Sequence, residues 1–327
     1  MSKLNAAVVG CGNISSKHIN AIIKCENTDL YAVCDIDKAK ADSTARANDC
    51  KAYYSFDELI SDKNVDSVHI CTPHYLHHQM VIKAIKAKKA VFCEKPMAIS
   101  LSEAEDILAT IKEYNASYGI CFQNRYNLFS KRILELINSG SLGAIKGAKA
   151  SVYWDRDEGY YRSAEWRGKI STEGGGVLIN QAIHTIDLLL WFMNSDITKL
   201  SSSISTKRLG DCIEVEDTAD IYLEFQNNAR AVIFATLCAF GNSPVELDLQ
   251  FENGQISMRD RLYINRQDKP QEIIEAKQAT GDKAYWGDGH MLIIDDFYSC
   301  LSSGEHFPVD AQQGIKTMRL LSKVYNK

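Results

Sequence analysis

No two cysteines in this 327-residue chain stand at C-x-x-C spacing. The ten present are scattered, and Cys11, Cys34, Cys71, Cys93 and Cys121 sit inside apolar runs. That pattern argues against a disulfide framework and for small buried thiols kept reduced, as in a cytoplasm. No segment reaches the ~18 unbroken apolar residues of a membrane helix. The apolar stretch in "MSKLNAAVVGCG" is short and runs into a glycine motif, so it reads as strand and turn rather than as a secretion signal. Basic residues are not in excess. Thirty-seven Lys and Arg against forty-two Asp and Glu leave a net charge of −5, which argues against nucleic acid or a membrane surface as partner. No block of like charge marks a disordered tail, and there is no internal repeat.

The hydrophobic fraction of 45% and charged fraction of 24% are those of an ordinary globular protein. The length suggests two domains, with enough chain for a sizeable core. Residues 1–121 alternate short apolar runs ("AAVVG", "LYAVCD", "SVHICTP", "AVFCEKP", "YGICF") with amphipathic stretches. Strands apolar throughout, separated by helices, imply a parallel sheet covered on both faces, a doubly wound α/β domain. In the last amphipathic stretch Ser102 and Glu105 have capping-box spacing. From 122 to 327 the rhythm changes to long alternating runs joined by the hairpin-like turns "QNNA" and "ENGQ". This predicts an α+β domain with a large, mostly antiparallel open sheet, closed by helices over 289–303 and 311–325. The sheet's second face must be covered, and self-association covers it most simply.

Four motifs carry chemistry. "VVGCGNISSKH" is a GxGxxG-type turn with Ser15 in the third place, between a strand and a helix. Gly10 and Gly12, with Asn13 and Ile14 in the turn, would bring the backbone to a pyrophosphate at a helix N-terminus. Asp35 ends the next strand about 20 residues on, where an acid binds an adenosine ribose and disfavours a 2′-phosphate, so NAD is expected in preference to NADP. The competing reading is a tight turn without a ligand. "CTPHYLHH" places Thr72, Pro73, His74 and His77 beyond the carboxyl end of a strand, where open α/β sheets bind ligands. These histidines lack an acid or thiol partner at ligand spacing, so no metal is expected. "CEKPMA" puts Glu94 and Lys95 at another strand end. A partly desolvated lysine there is a usable acid or base, unless it is simply paired with Glu94.

The fourth is "TEGGGVLINQAIHTIDLLLW", residues 172–191. Leu178 to Trp191 reads as one buried helix on which Asn180 and His184, four apart, share a face. The three glycines would let its start approach a ligand, at a cost in helix stability. A lone histidine on such a helix is more often a satisfied core group than a catalyst; Asn180, Gln181 and the glycine entry weigh the other way.

Taken together, "GCGNIS", "CDID", "TPHYLH", "CEKP", "QNRY", "WRG" and "GGGVLINQAIHTID" resemble the glucose-fructose oxidoreductase / inositol dehydrogenase / rhizopine-catabolism (Gfo/Idh/MocA) family, in the right order over nearly the whole chain. The resemblance implies an NAD(P)-dependent dehydrogenase or reductase of sugars, cyclitols or nucleotide sugars. It implies an N-terminal Rossmann domain and a C-terminal sheet used in homodimers or homotetramers. The family's catalytic lysine falls on Lys95 and its catalytic histidine on His184. Where the family often has aspartate one turn earlier, this chain has Asn180, which can bind a substrate hydroxyl but cannot relay a proton. By the same comparison Glu94, Gln123, Trp166 and Arg167 approach the cofactor. Arg125, Tyr160, Tyr161 and Tyr285 either line the sugar pocket or pack as aromatic and basic filler.

The expected reaction is reversible hydride transfer between nicotinamide and a secondary alcohol. Three alternatives stay open on the sequence: a glycoside hydrolase with retained NAD, a non-enzymatic nucleotide sensor, and a reductase of a non-sugar compound.

Overall fold

The computed structural model describes residues 3–267, 269–275 and 289–325. Packing divides the chain into two compact units: Met1–Gln123 with Asp288–Met318, and Asn124–Gly287 with Arg319–Lys327.

The first unit strings together β1 (Leu4–Val9), α1 (Ser15–Lys24), β2 (Thr28–Cys34), α2 (Lys38–Ala47), β3 (Lys51–Tyr53), α3 (Phe56–Ser61), β4 (Ser67–Ile70), α4 (His74–Lys86), β5 (Ala90–Cys93), α5 (Leu101–Tyr114) and β6 (Tyr118–Ile120). All six strands are parallel, in the order β3-β2-β1-β4-β5-β6. The chain works outward from β1, then returns to lay β4 on its other side. Right-handed crossovers therefore put α1 and α2 on one face, α4 and α5 on the other. Covered on both sides, Ala6 to Val9 and Val91 to Cys93 are almost fully buried, as their unbroken apolar runs require.

The second unit begins with α6 (Leu128–Asn138) and β7 (Ile145–Tyr153), followed by the short helices α7 (Glu158–Arg162), α8 (Ile170–Glu173) and α9 (Val177–Asn180), then α10 (Ile183–Met193). Strands β8 (Ile197–Ser205), β9 (Thr218–Phe225), β10 (Arg230–Thr236), β11 (Glu246–Phe251), β12 (Gly254–Met258), β13 (Arg261–Arg266) and β14 (Lys269–Glu275) come next. Helices α11 (Gly289–Ser303) and α12 (Ala311–Tyr325) end the chain. The sheet order is β14-β13-β12-β11-β7-β10-β9-β8, antiparallel except for β7 against β10. Both expected hairpins form, with Asn228 at φ 64° in the first. One face buries Ala219, Ile221 and Leu223 of β9, Ala231 and Ile233 of β10, and Leu247 and Leu249 of β11. The other carries Tyr153, Tyr222, Val232 and Phe234 among Lys149, Asp220 and Asp248.

Three expectations change. The cap of α5 is Ser100, whose Oγ accepts from Glu103 N–H at 3.3 Å, while Glu103 Oε2 accepts from Ile99 N–H at 3.1 Å. The box lies two residues before the pair read from sequence because both pairs have the same spacing. The part of the chain after 121 is not one continuous body: α11 packs on α1, so 288–318 group with the first unit. The single helix over 178–191 is two. Residues 170–180 and 183–193 meet at 56°, with Ala182 N–H reaching back to Val177 C=O at 2.8 Å. Among the described residues no single helix is long and apolar enough to cross a membrane.

Candidate functional site

In the first unit the glycine turn follows β1. Gly10 sits at φ 92°, and a Cβ there would come within 2.8 Å of Cys71 C=O on the strand end beside it. Gly12 has nothing within 4 Å of where its Cβ would be, which leaves room for a ligand to approach the backbone. Asn13 is exposed and Ile14 half-buried. Ile14 is the N-cap of α1, with no side chain capping the helix. The space above Gly12, at a helix start that no side chain caps, fits a pyrophosphate. Asp35 is held at the end of β2: its Oδ2 accepts from Cys11 N–H at 2.8 Å and its Oδ1 from Asp37 N–H at 2.9 Å. Ile36 beside it is 91% exposed, an apolar surface that sequence reading passed over and that suits an adenine face. No second side chain is needed to hold the carboxylate, so it stays available to ribose hydroxyls.

Thr72 and Pro73 follow β4 half-buried, and His74, at the start of α4, is 5% exposed. His77 is fully buried and braces the frame: Nδ1 lies 2.6 Å from Pro96 C=O and Nε2 2.8 Å from Thr72 C=O. Burial lowers its pKa, offset in part by those carbonyls. Both ring nitrogens are used internally, so His77 ties two loops together rather than reaching a cofactor. His78 bonds Asp106 at 2.7 Å.

Glu94 and Lys95 end β5, and the Lys95–Pro96 peptide is cis. Glu94 is not spent on the Lys95 side chain alone. Its Oε1 lies 2.8 Å from His18 Nε2, and its Oε2 accepts Lys95 N–H at 3.2 Å. Burial pushes this carboxyl up, but the hydrogen bond and charge of His18 outweigh it and hold the group well below the usual range. The carboxylate accepts from His18 Nε2, and the contacts continue inward: His18 Nδ1 lies 2.9 Å from His69 Nδ1, His69 Nε2 lies 2.8 Å from the Tyr298 hydroxyl, and that hydroxyl lies 2.7 Å from Ser67 Oγ. Burial lowers the pKa of His69 and takes that of His290 down to about 4. His18, Glu94 and Cys121 bring ligand-type atoms within 4.8 Å. Burial pushes the Cys121 thiol well up, away from the thiolate a metal needs, and His18 is already bonded to Glu94. Gln123 is 2% exposed, with Cys121 Sγ 3.8 Å from its Oε1.

In the second unit the three glycines serve the chain's own packing. Gly174 ends α8 in the left-handed region at φ 87°. A Cβ on Gly175 would overlap the Tyr325 hydroxyl, and one on Gly176 would overlap the Glu216 backbone carbonyl. Glu216 itself is buried, accepting from Gly176 N–H at 2.8 Å, Leu178 N–H at 3.0 Å and Tyr325 O–H at 2.8 Å. It caps α9 from within. Burial raises its pKa. Glu173 is fully buried just before the glycines, accepting Gly168 N–H at 2.5 Å on Oε2 and Asn180 Nδ2–H at 2.5 Å on Oε1. Burial takes it up to about 7, against the pull of those two donors and of Arg167. Neither glutamate stood among the expected site residues. No local signal marks either: Glu173 follows the polar stretch "RSAEWRGKIST", and Glu216 lies forty residues beyond the helix start it caps.

Asn180 and His184 fall on different helices, so they share no helical face; His184 is half-buried in the first turn of α10. Asn180 instead groups with Tyr160, whose hydroxyl lies 3.4 Å from Asn180 Nδ2 and 3.1 Å from Gln181 Nε2. The Arg167 guanidinium lies over the Tyr160 ring at 4.2 Å and near Trp166 at 5.5 Å. Tyr161, the neighbour singled out from sequence, is 4% exposed and belongs to the core. Arg125 is likewise committed: its guanidinium makes bonds of 2.8 and 2.6 Å to buried Asp187 and lies 4.9 Å over Trp191. That pair anchors α10 from within rather than reaching a sugar. Tyr285 lies outside the described residues.

The pattern of the oxidoreductase family with an NAD-binding Rossmann fold (Gfo/Idh/MocA) matches residues 4–122, and the Gfo/Idh/MocA C-terminal domain matches 130–257. The chain belongs to the Gfo/Idh/MocA family. Its first unit carries the family's NAD-binding Rossmann fold, and the chain is a member of an oxidoreductase family. Glucose-6-phosphate 3-dehydrogenase of Bacillus subtilis is 28% identical over 240 residues, 71% of this chain and 67% of that protein. Myo-inositol 2-dehydrogenase of Thermotoga maritima is 26% identical over 239 residues, 70% and 67%. The match to an oxidoreductase of Bacillus subtilis at 29% identity spans 65% of that protein's length. Among solved structures, the WlbA dehydrogenase of Bordetella pertussis in complex with NADH and UDP-GlcNAcA superposes with a TM-score of 0.87 at 25% identity. It covers 99% of this chain and 96% of that one. Levoglucosan dehydrogenase shares the fold, with a TM-score of 0.91 at 19% identity over 99% and 97%.

Proposed function

We propose that this protein transfers a hydride between NAD and a secondary alcohol or ketone of a sugar, cyclitol or nucleotide sugar. One observation carries the reading. The glycine turn, the Thr72–His74 segment and the Glu94–Lys95 pair all end parallel strands at one carboxyl edge, around the point where the strand order reverses. The names of the sugar-phosphate and inositol dehydrogenase relatives support a ring alcohol.

Gly10, Gly12, Asn13 and Ile14 hold the pyrophosphate, and Asp35 the adenosine ribose. Thr72, Pro73 and His74 flank the cofactor. The nicotinamide, when bound, supplies the hydride acceptor or donor. Lys95 takes the proton from the reacting oxygen in oxidation and returns it in reduction. His184 orients that oxygen, and Asn180 binds a hydroxyl. Because an amide does not ionise, the proton falls to Lys95 with His184. Copies associate through the sheet face that carries Tyr153, Val232 and Phe234.

The test is reduced-nicotinamide absorbance with NAD and with NADP against hexoses, hexose phosphates, inositols, uronic acids and nucleotide sugars. Turnover of a ring alcohol with NAD is expected. Absence of turnover across the panel, in both directions, overturns the reading.

A further inference from the structure

We infer that His18 is a positioning residue for the proton transfer at Lys95: it fixes the Glu94 carboxylate, in place and in charge, beside the lysine. His18 is fully buried in the first turn of α1, just after the glycine loop, and Glu94 and Lys95 end β5. His18 Nε2 lies 2.8 Å from Glu94 Oε1, and the other oxygen, Oε2, accepts Lys95 N–H at 3.2 Å. With one oxygen on the imidazole and the other on the backbone, the carboxylate has a set orientation. The imidazole is fixed in turn. Its Nδ1 lies 2.9 Å from His69 Nδ1, a contact that needs one proton between the rings, whichever ring carries it. His69 Nε2 meets the Tyr298 hydroxyl at 2.8 Å, and that hydroxyl meets Ser67 Oγ at 2.7 Å. One line of contacts from α11 through β4 and α1 thus ends at the residue before Lys95.

The charge matters as much as the position. Burial favours a protonated Glu94, and His18 opposes it by hydrogen bond and by charge. His290, the other imidazole near Oε1, stands off at 3.9 Å. Burial keeps the remaining titratable groups around Glu94 neutral near pH 7. It raises the thiols of Cys71, Cys93 and Cys121, and it lowers His69, His77 and His290. From α1, Lys17 acts on His290. Glu94 and Lys95 attract each other, so the carboxylate favours the ammonium form of the lysine. Without the His18 donor, Glu94 takes up a proton, its charge disappears, and Lys95 gives up its own proton at lower pH. His18 acts on the reaction through these two residues.

The inference rests on the reading that Lys95 is the acid and base of hydride transfer, but its test does not need turnover. The reactivity of Lys95 towards acetic anhydride is followed across the neutral and alkaline range in the full-length protein, by mass spectrometry of the peptide that carries it. The pH midpoint of that reactivity should fall by about one unit in His18→Leu, which removes the donor. It should stay within about 0.3 units of wild type in His18→Gln, whose amide still donates to Glu94. Glu94→Gln, neutral at every pH, should show the same fall as His18→Leu, and it decides the matter if His18→Leu does not fold. An unchanged midpoint in folded His18→Leu or in Glu94→Gln overturns the inference, as does an equal fall in both His18 variants. Failure of the hydride-transfer reading is reported separately by the absorbance panel.

Discussion

Gly12 and Gly176 both stand beside helix starts, and one methyl group tells them apart. Around Gly12 there is open space, so Gly12→Ala should leave unfolding stability within about 0.5 kcal/mol. It should still weaken NADH binding about tenfold, ~1.4 kcal/mol, because the backbone can no longer meet the phosphate. Gly176→Ala forces a methyl into the Glu216 carbonyl and should cost about 3 kcal/mol or more, seen by denaturant unfolding. Equal losses of stability in both would contradict the distinction. Lys95→Ala should lower turnover by about 10² to 10⁴ while NADH affinity holds, and unchanged turnover removes Lys95 from the chemistry. The sequence read both glycine clusters as places where a ligand approaches, but at Gly175 and Gly176 what approaches is Tyr325 and the Glu216 backbone. Those two residues lie far along the chain, and nothing local points to them. Arg125 and Tyr161 misled for the same reason. A polar residue near a motif looks functional until Asp187, sixty-two residues on, is seen to hold it.

Single elements gather buried charge in two ways, and pH separates them. At the end of α8, Glu173 prefers its neutral form at about 7, against an ordinary 4.5. A folded-state pKa raised in this way gives stability that is complete below the ordinary value and lost as pH rises through 7. Wild type should therefore lose roughly 3 kcal/mol relative to Glu173→Gln between pH 4 and pH 8. At the start of α11, His290 titrates near 4 instead of 6.5. Its stabilising contribution is present above 6.5 and lost as pH falls through 4, and Glu94, also depressed, acts in the same sense. His290→Gln should flatten the acid limb of the stability profile. Unfolding midpoints across that pH range check both signs, and opposite slopes would refute them. The bend at residues 181–182 explains why helix reading stopped short. Leu178 to Trp191 is apolar on either side of the break, so its pattern is the same for one helix or two. The cap that starts α9 comes from Glu216, not from a neighbour in sequence.

At the scale of the molecule, an alternating pattern gave the second unit's sheet and an unbroken one gave the first's, because burial on one face or two leaves different periods. Strand order was not legible, since pairing partners such as β7 and β10 are separated by most of a domain. The same alternation leaves Val232 47% and Tyr153 41% exposed on one sheet face. Val232→Asp should shift the molar mass in light scattering towards the single chain without lowering the unfolding midpoint. An unchanged mass would place any self-association elsewhere.

The return of α11 to the first unit has a consequence for biogenesis. A ribosome releases residues 1–123 long before residues 288–318 exist. Through that interval α1 has no α11 to cover it, and His69 has no Tyr298. The nucleotide-binding unit must wait, incomplete and with apolar surface uncovered, for the last part of the chain. Order of synthesis and order of completion are thus inverted: the half made first is finished close to last. A chain cut short before Tyr298 leaves the α1 face and His69 without the partners that the full chain gives them.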